Sequence, residues 1–246
     1  MIIATIPAHD EAKFLESAVR TLMQETLALG DDYRIVIAED GSTDGSNEIA
    51  ERLARNNPRI IHVHADRKLG RGLALKNAWK KVNGDIYAFV DCDLATDMKY
   101  YPQLIGAIRN GCDLATGSRY MSGAIVQRPA LRGLVSRTYN MLIRAVFRTH
   151  VNDHQLGFKA FSSKVVGDVL SRCNSADWFW DTEIIVRSVR EGYKLAEFPV
   201  EWIEKRGTRT PLKRLTKDIY IHGKGFLKLC AEMANGDTQN RENRGN

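Results

Sequence analysis

Short β-branched runs alternate with amphipathic segments along the first half of the chain. Ile2–Ile6 is apolar throughout and reads as a buried strand. Between about Asp10 and Leu27, Phe14, Leu15, Val19, Leu22 and Met23 recur at helical spacing. The pattern then repeats, with strands at Arg34–Ala38, Ile60–His64, Ile86–Val90 and Asp113–Thr116. Helices are expected around Ser46–Ala54, Leu73–Val82 and Tyr101–Arg109. Strands that are apolar on both faces belong to sheets covered on both sides. The alternation therefore predicts an α/β fold, a mostly parallel sheet flanked by helices.

The second half is patterned differently. Leu131, Leu134, Val135, Tyr139, Leu142, Ile143, Val146 and Phe147 make a helical stripe over Leu131–Arg148, with Arg132, Arg137, Arg144 and Arg148 on the other face. Such a stripe either packs on the sheet or lies on a membrane surface, apolar side down. A strand-helix-helix-strand group follows at Phe158–Phe161, Ser163–Leu170, Asp181–Glu191 and Leu195–Val200. A last helical pattern, Leu215 to Met233, is weakened by Gly223 and Gly225. Residues 1–214 are read as one catalytic domain, with a nucleotide-sugar half to about 117 and an acceptor half from 118. Residues 215–234 form an amphipathic helical extension, and the polar stretch 235–246 is expected to be disordered.

Composition narrows the classes. With 43% apolar and 27% charged residues the chain is neither disordered nor membrane-spanning, and no apolar run approaches the ~20 residues of a transmembrane helix. The apolar start soon meets His9, Asp10 and Glu11, which suits a strand and not a signal peptide. The four cysteines form no CxxC pair, so reduced thiols in a cytoplasmic compartment are expected. The net charge of +6 is concentrated late. Six arginines stand between Arg119 and Arg148 with no acid before Asp153, and Lys205 to Lys228 holds only Asp218 against its basic residues. A phosphorylated substrate or an anionic membrane fits this. Nucleic acid does not, because no aromatic platform is interleaved with the basic segments.

Ligands of open α/β sheets bind off the carboxyl ends of the strands. Polar clusters stand at each such end: His9-Asp10-Glu11, Glu39-Asp40, Asp66 to Arg71, and Asp91 with Asp93. Two carboxylates one residue apart can hold a hard divalent cation, which in turn neutralises a diphosphate. They can also be mere loop acids capping the next helix. In the turn Asp40 to Gly45, Asp44 and Ser46 serve as caps, which leaves Asp40 to accept hydrogen bonds from a base or ribose. With Asp10 as a cap, Glu11 or His9 is free to meet a nucleotide. Trp178-Phe179-Trp180-Asp181-Thr182-Glu183 reads either as core aromatics before a capped helix, or as a site with Asp181 as general base.

Six motifs occur in order: Pro7 to Glu11, Asp40-Gly-Ser-Thr-Asp-Gly45, Leu69-Gly70-Arg71-Gly72, Asp91-x-Asp93, Gly117-Ser118-Arg119-Tyr120 and Gln155-Leu156-Gly157-Phe158-Lys159. Together they resemble the family 2 glycosyltransferases of GT-A fold, and within them the dolichyl- or polyprenyl-phosphate sugar synthases, from Ile2 to about Arg214. The resemblance implies inverting transfer of a hexose from a nucleotide-sugar, of UDP-glucose or GDP-mannose type, to dolichyl or polyprenyl phosphate. It implies Mg2+ or Mn2+ on Asp91 and Asp93, and donor contacts from Pro7, His9, Glu11, Asp40, Asp91, Cys92 and Asp93. Asp91, Asp93 and Arg119 become the catalytic set. Arg119, Arg132, Ser136, Arg137 and Arg209 become acceptor-phosphate contacts, Arg209 on a basic loop closing over the phosphates. A peripheral position on the cytoplasmic face of a membrane follows.

Two departures bear on the donor. His9-Asp10 replaces the Tyr-Asn more usual in the family. Ala95 stands where mannose-specific relatives often carry Gln, which favours UDP-glucose and leaves any third metal contact to Asp97 or water. The alternative in the same family is a sugar-hydroxyl acceptor with Asp181 as base. A non-catalytic nucleotide-sugar or nucleic-acid-binding module is a third reading, against which the intact aspartate pair speaks.

Overall fold

The computed structural model describes residues 1–206 and 212–242, with backbone alone for 212–215, 217 and 235–242. Strands β1 (Ile2–Ala8), β2 (Tyr33–Glu39), β3 (Ile60–Val63) and β4 (Ile86–Val90) are joined by helices α1 (Ala12–Leu27), α2 (Ser46–Asn56) and α3 (Arg71–Trp79). A 3-10 turn at Met98–Tyr100 leads into α4 (Tyr101–Arg109) and β5 (Leu114–Ser118). Next come β6 (Ile125–Gln127), α5 (Ala130–Phe147), β7 (Phe158–Ser162) and α6 (Ser163–Asp168). The chain closes with α7 (Trp180–Arg190), β8 (Leu195–Pro199), β9 (Glu201–Ile203) and α8 (Leu212–Glu242). Helix α8 extends beyond the Leu215 to Met233 pattern at both ends and takes in 235–242, the start of the stretch read as a tail. Its Gly225 is a close-approach position, since a Cβ there would enter the Phe179 ring.

The sheet has seven strands in the order β3-β2-β1-β4-β7-β5-β8. All neighbours are parallel except β7, which runs antiparallel between β4 and β5. The start of β7 therefore faces the same side as the end of β4, and the Asp91 amide donates to the Gly157 carbonyl at 2.9 Å. The small second sheet, β6 with β9, escapes sequence reading because three-residue strands carry no measurable alternation.

Alternate residues of each strand feed two cores. Ile2, Ala4 and Ile6 pack under α1, α2 and α4, while Ile3, Val36 and Phe89 pack under α3, α6 and α7. Trp79 anchors the second core. Its ring lies 5.6–6.3 Å from those of Tyr87, Phe89, Phe161 and Trp180, and its Nε1 donates to Thr5 Oγ1 at 2.9 Å.

One local expectation is corrected, and of two open alternatives for a helix one is excluded. Asp10 does not cap α1. It sits at φ 55°, and the first helical amide, Ala12, is instead accepted by Asp44 at 2.9 Å. Asp10 in return accepts the Thr43 amide, so the turns after β1 and β2 are stitched together. The stripe on α5 does not pack on the sheet either. Leu131, Leu134, Met141, Leu142 and Val146 are 45–67% exposed, whereas Ser136 and Asn140 are buried. Ile143 and Phe147 reach a small core shared with Phe179, Val186 and Leu229, with Tyr139 packed against it.

Replacing Trp79 by Ala removes the ring common to both sides of that aromatic cluster. The expected loss is about 3–5 kcal/mol of unfolding free energy, read from the urea midpoint; an unchanged midpoint would contradict this packing.

Candidate active site

The end of β4 gathers charge. Asp91 Oδ1 accepts from Arg71 Nη1 at 2.7 Å, and the other arm of the same guanidinium pairs with Asp181. Lys159 Nζ, fully buried, lies 3.5 Å from Asp181 Oδ1 and also donates to the Leu156 carbonyl. Arg71 comes from the first turn of α3 and is sandwiched between Trp178, 4.4 Å from its ring centre, and Phe89 at 5.2 Å. Opposite, Arg206 bridges Asp93, at 2.5 Å, and Glu11, at 2.6 Å. Glu11, Asp91, Asp93 and Asp181 thus form one cluster held by Arg71, Arg206 and Lys159.

The aspartates are not helix caps. Asp91's carboxylate rests against Gly157, where a Cβ would overlap its Oδ1, Cγ and Oδ2. The glycine of the Gln-Leu-Gly-Phe-Lys motif is therefore a cradle for this carboxylate. Burial pushes the Asp91 carboxyl above its ordinary range, against the pull of Arg71, with Asp93 and Asp181 adding repulsion. Burial likewise raises Glu11, against Arg206. Two carboxylates at one strand end, in a cluster with one acid more than its basic partners, fit a hard dication such as Mg2+ or Mn2+. Asp97 is engaged elsewhere: it caps the Met98–Tyr100 turn through the Lys99 amide at 2.9 Å.

The nucleotide-side residues fall close by, with one revision. Asp40 is not left over. Its carboxylate accepts the amides of Leu69 and Gly70 at 2.6 and 2.9 Å, and the residue is 3% exposed. It orders the loop that delivers Arg71. His9 Nδ1 meets the Asp40 carbonyl at 2.7 Å, and Glu11, far from free, is held by Arg206. Pro7 is half-buried beside Ala38, and Cys92 is buried in the core under α1 and α4.

The arginines form a second group. Arg119 is buried and grips Asp153 with Nε at 2.7 Å and Nη2 at 2.9 Å. Arg132 pairs with Glu204, and exposed Arg137 lies over the Tyr120 ring at 5.6 Å. Ser136 Oγ donates to Gln155 at 2.5 Å. Arg128 was not singled out by sequence. It reaches the Tyr120 hydroxyl at 3.1 Å, yet its buried Nε has no partner among the described residues. Burial and the charge of Arg119 push its guanidinium down to about 10, the mark of a site short of negative charge. Arg209 lies outside the described residues.

Two tests follow. Gly157→Ala displaces the Asp91 carboxylate, so Mn2+ affinity, read by electron paramagnetic resonance, should weaken about 10–100-fold. Burial alone would raise the Asp153 carboxyl, but Arg119's charge and hydrogen bonds bring it to about 2. Its folded value lies below the unfolded ~3.9, so the stabilisation is complete above about pH 4 and is lost as pH falls through about 2. Asp153→Asn should lower the urea midpoint at neutral pH and flatten its decline on acidification.

Known proteins match this chain over most of its length. The model of Glycosyl transferase family 2 matches residues 4–170. The chain is 42% identical over 235 residues to the glycosyltransferase AglD of Haloferax volcanii, covering 94% of this chain but only 37% of that protein's length. It is 29% identical to the polyprenol monophosphomannose synthase of Mycolicibacterium smegmatis (70% and 67% covered). It is 23% identical to the dolichyl-phosphate beta-glucosyltransferase of Saccharomyces cerevisiae (90% and 74% covered). Among solved structures, glucosyl-3-phosphoglycerate synthase from Mycobacterium tuberculosis, in complex with Mn2+, UDP and glucosyl-3-phosphoglycerate, shares the fold. Its TM-score is 0.71 at 19% identity, with 94% of this chain and 80% of that one covered. With its GT-A sheet and its paired aspartates at the end of β4, the chain belongs to glycosyl transferase family 2.

Proposed function

We propose that this chain transfers a hexose from a nucleotide-sugar to a dolichyl or polyprenyl phosphate, with inversion at the anomeric carbon. One observation carries the reading: an arginine group short of anions lies at the foot of a helix whose apolar side faces outward. Arg128, with Arg119 and Arg132 near enough for their charges to act on it, precedes α5 and its exposed Leu131, Leu134, Met141, Leu142 and Val146. A lipid phosphate matches both halves, its head suiting guanidinium forks and its tail the apolar face. The relatives named for polyprenol and dolichyl-phosphate chemistry support the same acceptor class.

In the reaction an acceptor phosphate oxygen forms a bond to the anomeric carbon. The bond from that carbon to the diphosphate breaks, and its electron pair leaves with the nucleoside diphosphate. The attacking oxygen is already anionic, so positioning suffices and no strong base is required. Asp181 fits that: it is 1% exposed and clamped between Arg71 and Lys159, and so positions Arg71 and, through it, Asp91. Asp91 and Asp93 would hold Mg2+ or Mn2+, which supplies charge neutralisation to the departing diphosphate. Pro7, His9, Glu11 and the Cys92 backbone line the donor side, and Asp40 shapes it. Arg119, with Nη1 the guanidinium nitrogen not committed to Asp153, joins Arg128, Arg132, Ser136 and Arg137 on the acceptor side. Ala95 and the run Trp178 to Glu183, both unlike the mannose branch, support UDP-glucose over GDP-mannose as the donor.

Helices α5 and α8, the latter with exposed Ile219, Tyr220 and Leu227, would rest on the cytoplasmic face of a membrane as a peripheral attachment. No helix among the described residues is long and apolar enough to cross one.

The test is release of nucleoside diphosphate from labelled UDP-glucose or GDP-mannose on adding a short polyprenyl phosphate with Mg2+ or Mn2+. Formation of a hexosyl-phosphoryl polyprenol is expected, and Arg128→Ala should raise the acceptor KM by about 10-fold or more, as expected for a charged hydrogen bond worth ~1.5–3 kcal/mol. Turnover only with sugar-hydroxyl acceptors would refute the reading.

A further inference from the structure

A second group of ligating atoms lies away from the aspartate cluster, near the sheet edge. His62 on β3 and His64 just beyond it stand two residues apart, so both imidazoles project from the same face of the sheet. Strand β2 runs parallel beside them with Ile37 level with His62, which places Glu39 level with His64. The Ala65 amide continues that pairing, donating to the Glu39 carbonyl at 3.1 Å. Glu39, His62 and His64 each offer one ligand atom, and these atoms lie within 4.8 Å of one another. The Glu39 side chain is wholly buried while that of His64 is 41% exposed, so the group is rooted in the protein and open on one side.

The three side chains do not satisfy one another. Glu39 Oε2 meets His64 Nδ1 at 2.5 Å, but His62 Nε2 is buried with no hydrogen-bond partner among the described residues. Native proteins rarely leave a buried nitrogen unpaired, and such an atom calls for a ligand. Asp66 Oδ1, 3.7 Å from His64 Nε2 and fully exposed, adds negative charge at the open side.

We propose that Glu39, His62 and His64 bind a first-row dication of borderline softness, Zn2+ foremost, at a site separate from Asp91 and Asp93. Two imidazoles and one carboxylate, with a fourth position open to water, form a donor set that suits Zn2+; Mg2+ prefers oxygen alone. Binding exchanges the Glu39–His64 hydrogen bond for metal bonds, and any proton on the ligating imidazole nitrogens is released. The site also touches the donor side, because Glu39 Oε1 accepts the Ser42 amide at 2.6 Å inside the turn that starts at Asp40. A bound ion fixes Glu39 and thereby that turn.

The experiment uses the full chain stripped of metal, in saturating Mg2+ to fill oxygen-donor sites, with Zn2+ titrated by calorimetry and Co2+ by visible absorption. One Zn2+ per chain is expected in the wild type and in an Asp91→Asn/Asp93→Asn variant. His62→Ala and His64→Gln should each weaken binding at least about tenfold, the loss that even outer-sphere partners cause, and should abolish a tetrahedral Co2+ spectrum. Circular dichroism checks that each variant is folded; His64, at the open side, provides the milder substitution. Equal Zn2+ binding by the wild type and folded His64→Gln, binding lost only with the aspartate pair, or no binding at all would overturn the assignment.

Discussion

Everything at the cleft depends on how four carboxylates are kept together at the end of a buried strand. Glu11, the Asp91–Asp93 pair and Asp181 come from three separate parts of the chain, and their mutual repulsion in a low-dielectric site opposes both ionisation and folding. Arg71, Arg206 and Lys159 hold them, each guanidinium spanning two acids. The balance is incomplete, since Asp91 and Glu11 still sit above the usual carboxylate range. A cluster so arranged favours one more cation.

The same logic, with the sign reversed, shapes the arginine group proposed as the acceptor side. Asp153 neutralises Arg119 and Glu204 neutralises Arg132, but Arg128 has no acid paired with it among the described residues. A cleft with an electronegative wall and an electropositive wall suits transfer between two phosphorylated partners. Helix α5 adds the third component. Its polar Ser136 and Asn140 point inward and its leucines outward, the inverse of a helix that packs on a sheet.

The sheet was legible because period and spacing are local. Strands β1 to β5 and helices α1 to α5 fall within two or three residues of the patterned runs, and β4 and α4 match them fully. The place of Asp91 and Asp93 at a strand end was legible because the apolar run of β4 stops just before them. Partnerships across the chain were not. Nothing local to Arg206 announces that it spans Glu11 and Asp93, 113 residues from the latter. Asp40 looked unoccupied because its amide donors, Leu69 and Gly70, arrive from a loop about 30 residues on. On α5, periodicity identified an apolar stripe but not its orientation, which depends on what the opposite face can pair with: Asn140 with His154, and Ser136 with Gln155.

The central claim is that the aspartates at the tip of β4 hold a divalent cation together with a nucleoside diphosphate, Arg206 yielding Asp93 as they bind. Calorimetric titration of UDP and GDP into the metal-free chain, with and without Mn2+, tests it most directly. The account predicts that one of the two binds tightly only with Mn2+, and that Asp93→Asn removes the metal dependence. Nucleotide binding of equal strength with and without Mn2+ would contradict it.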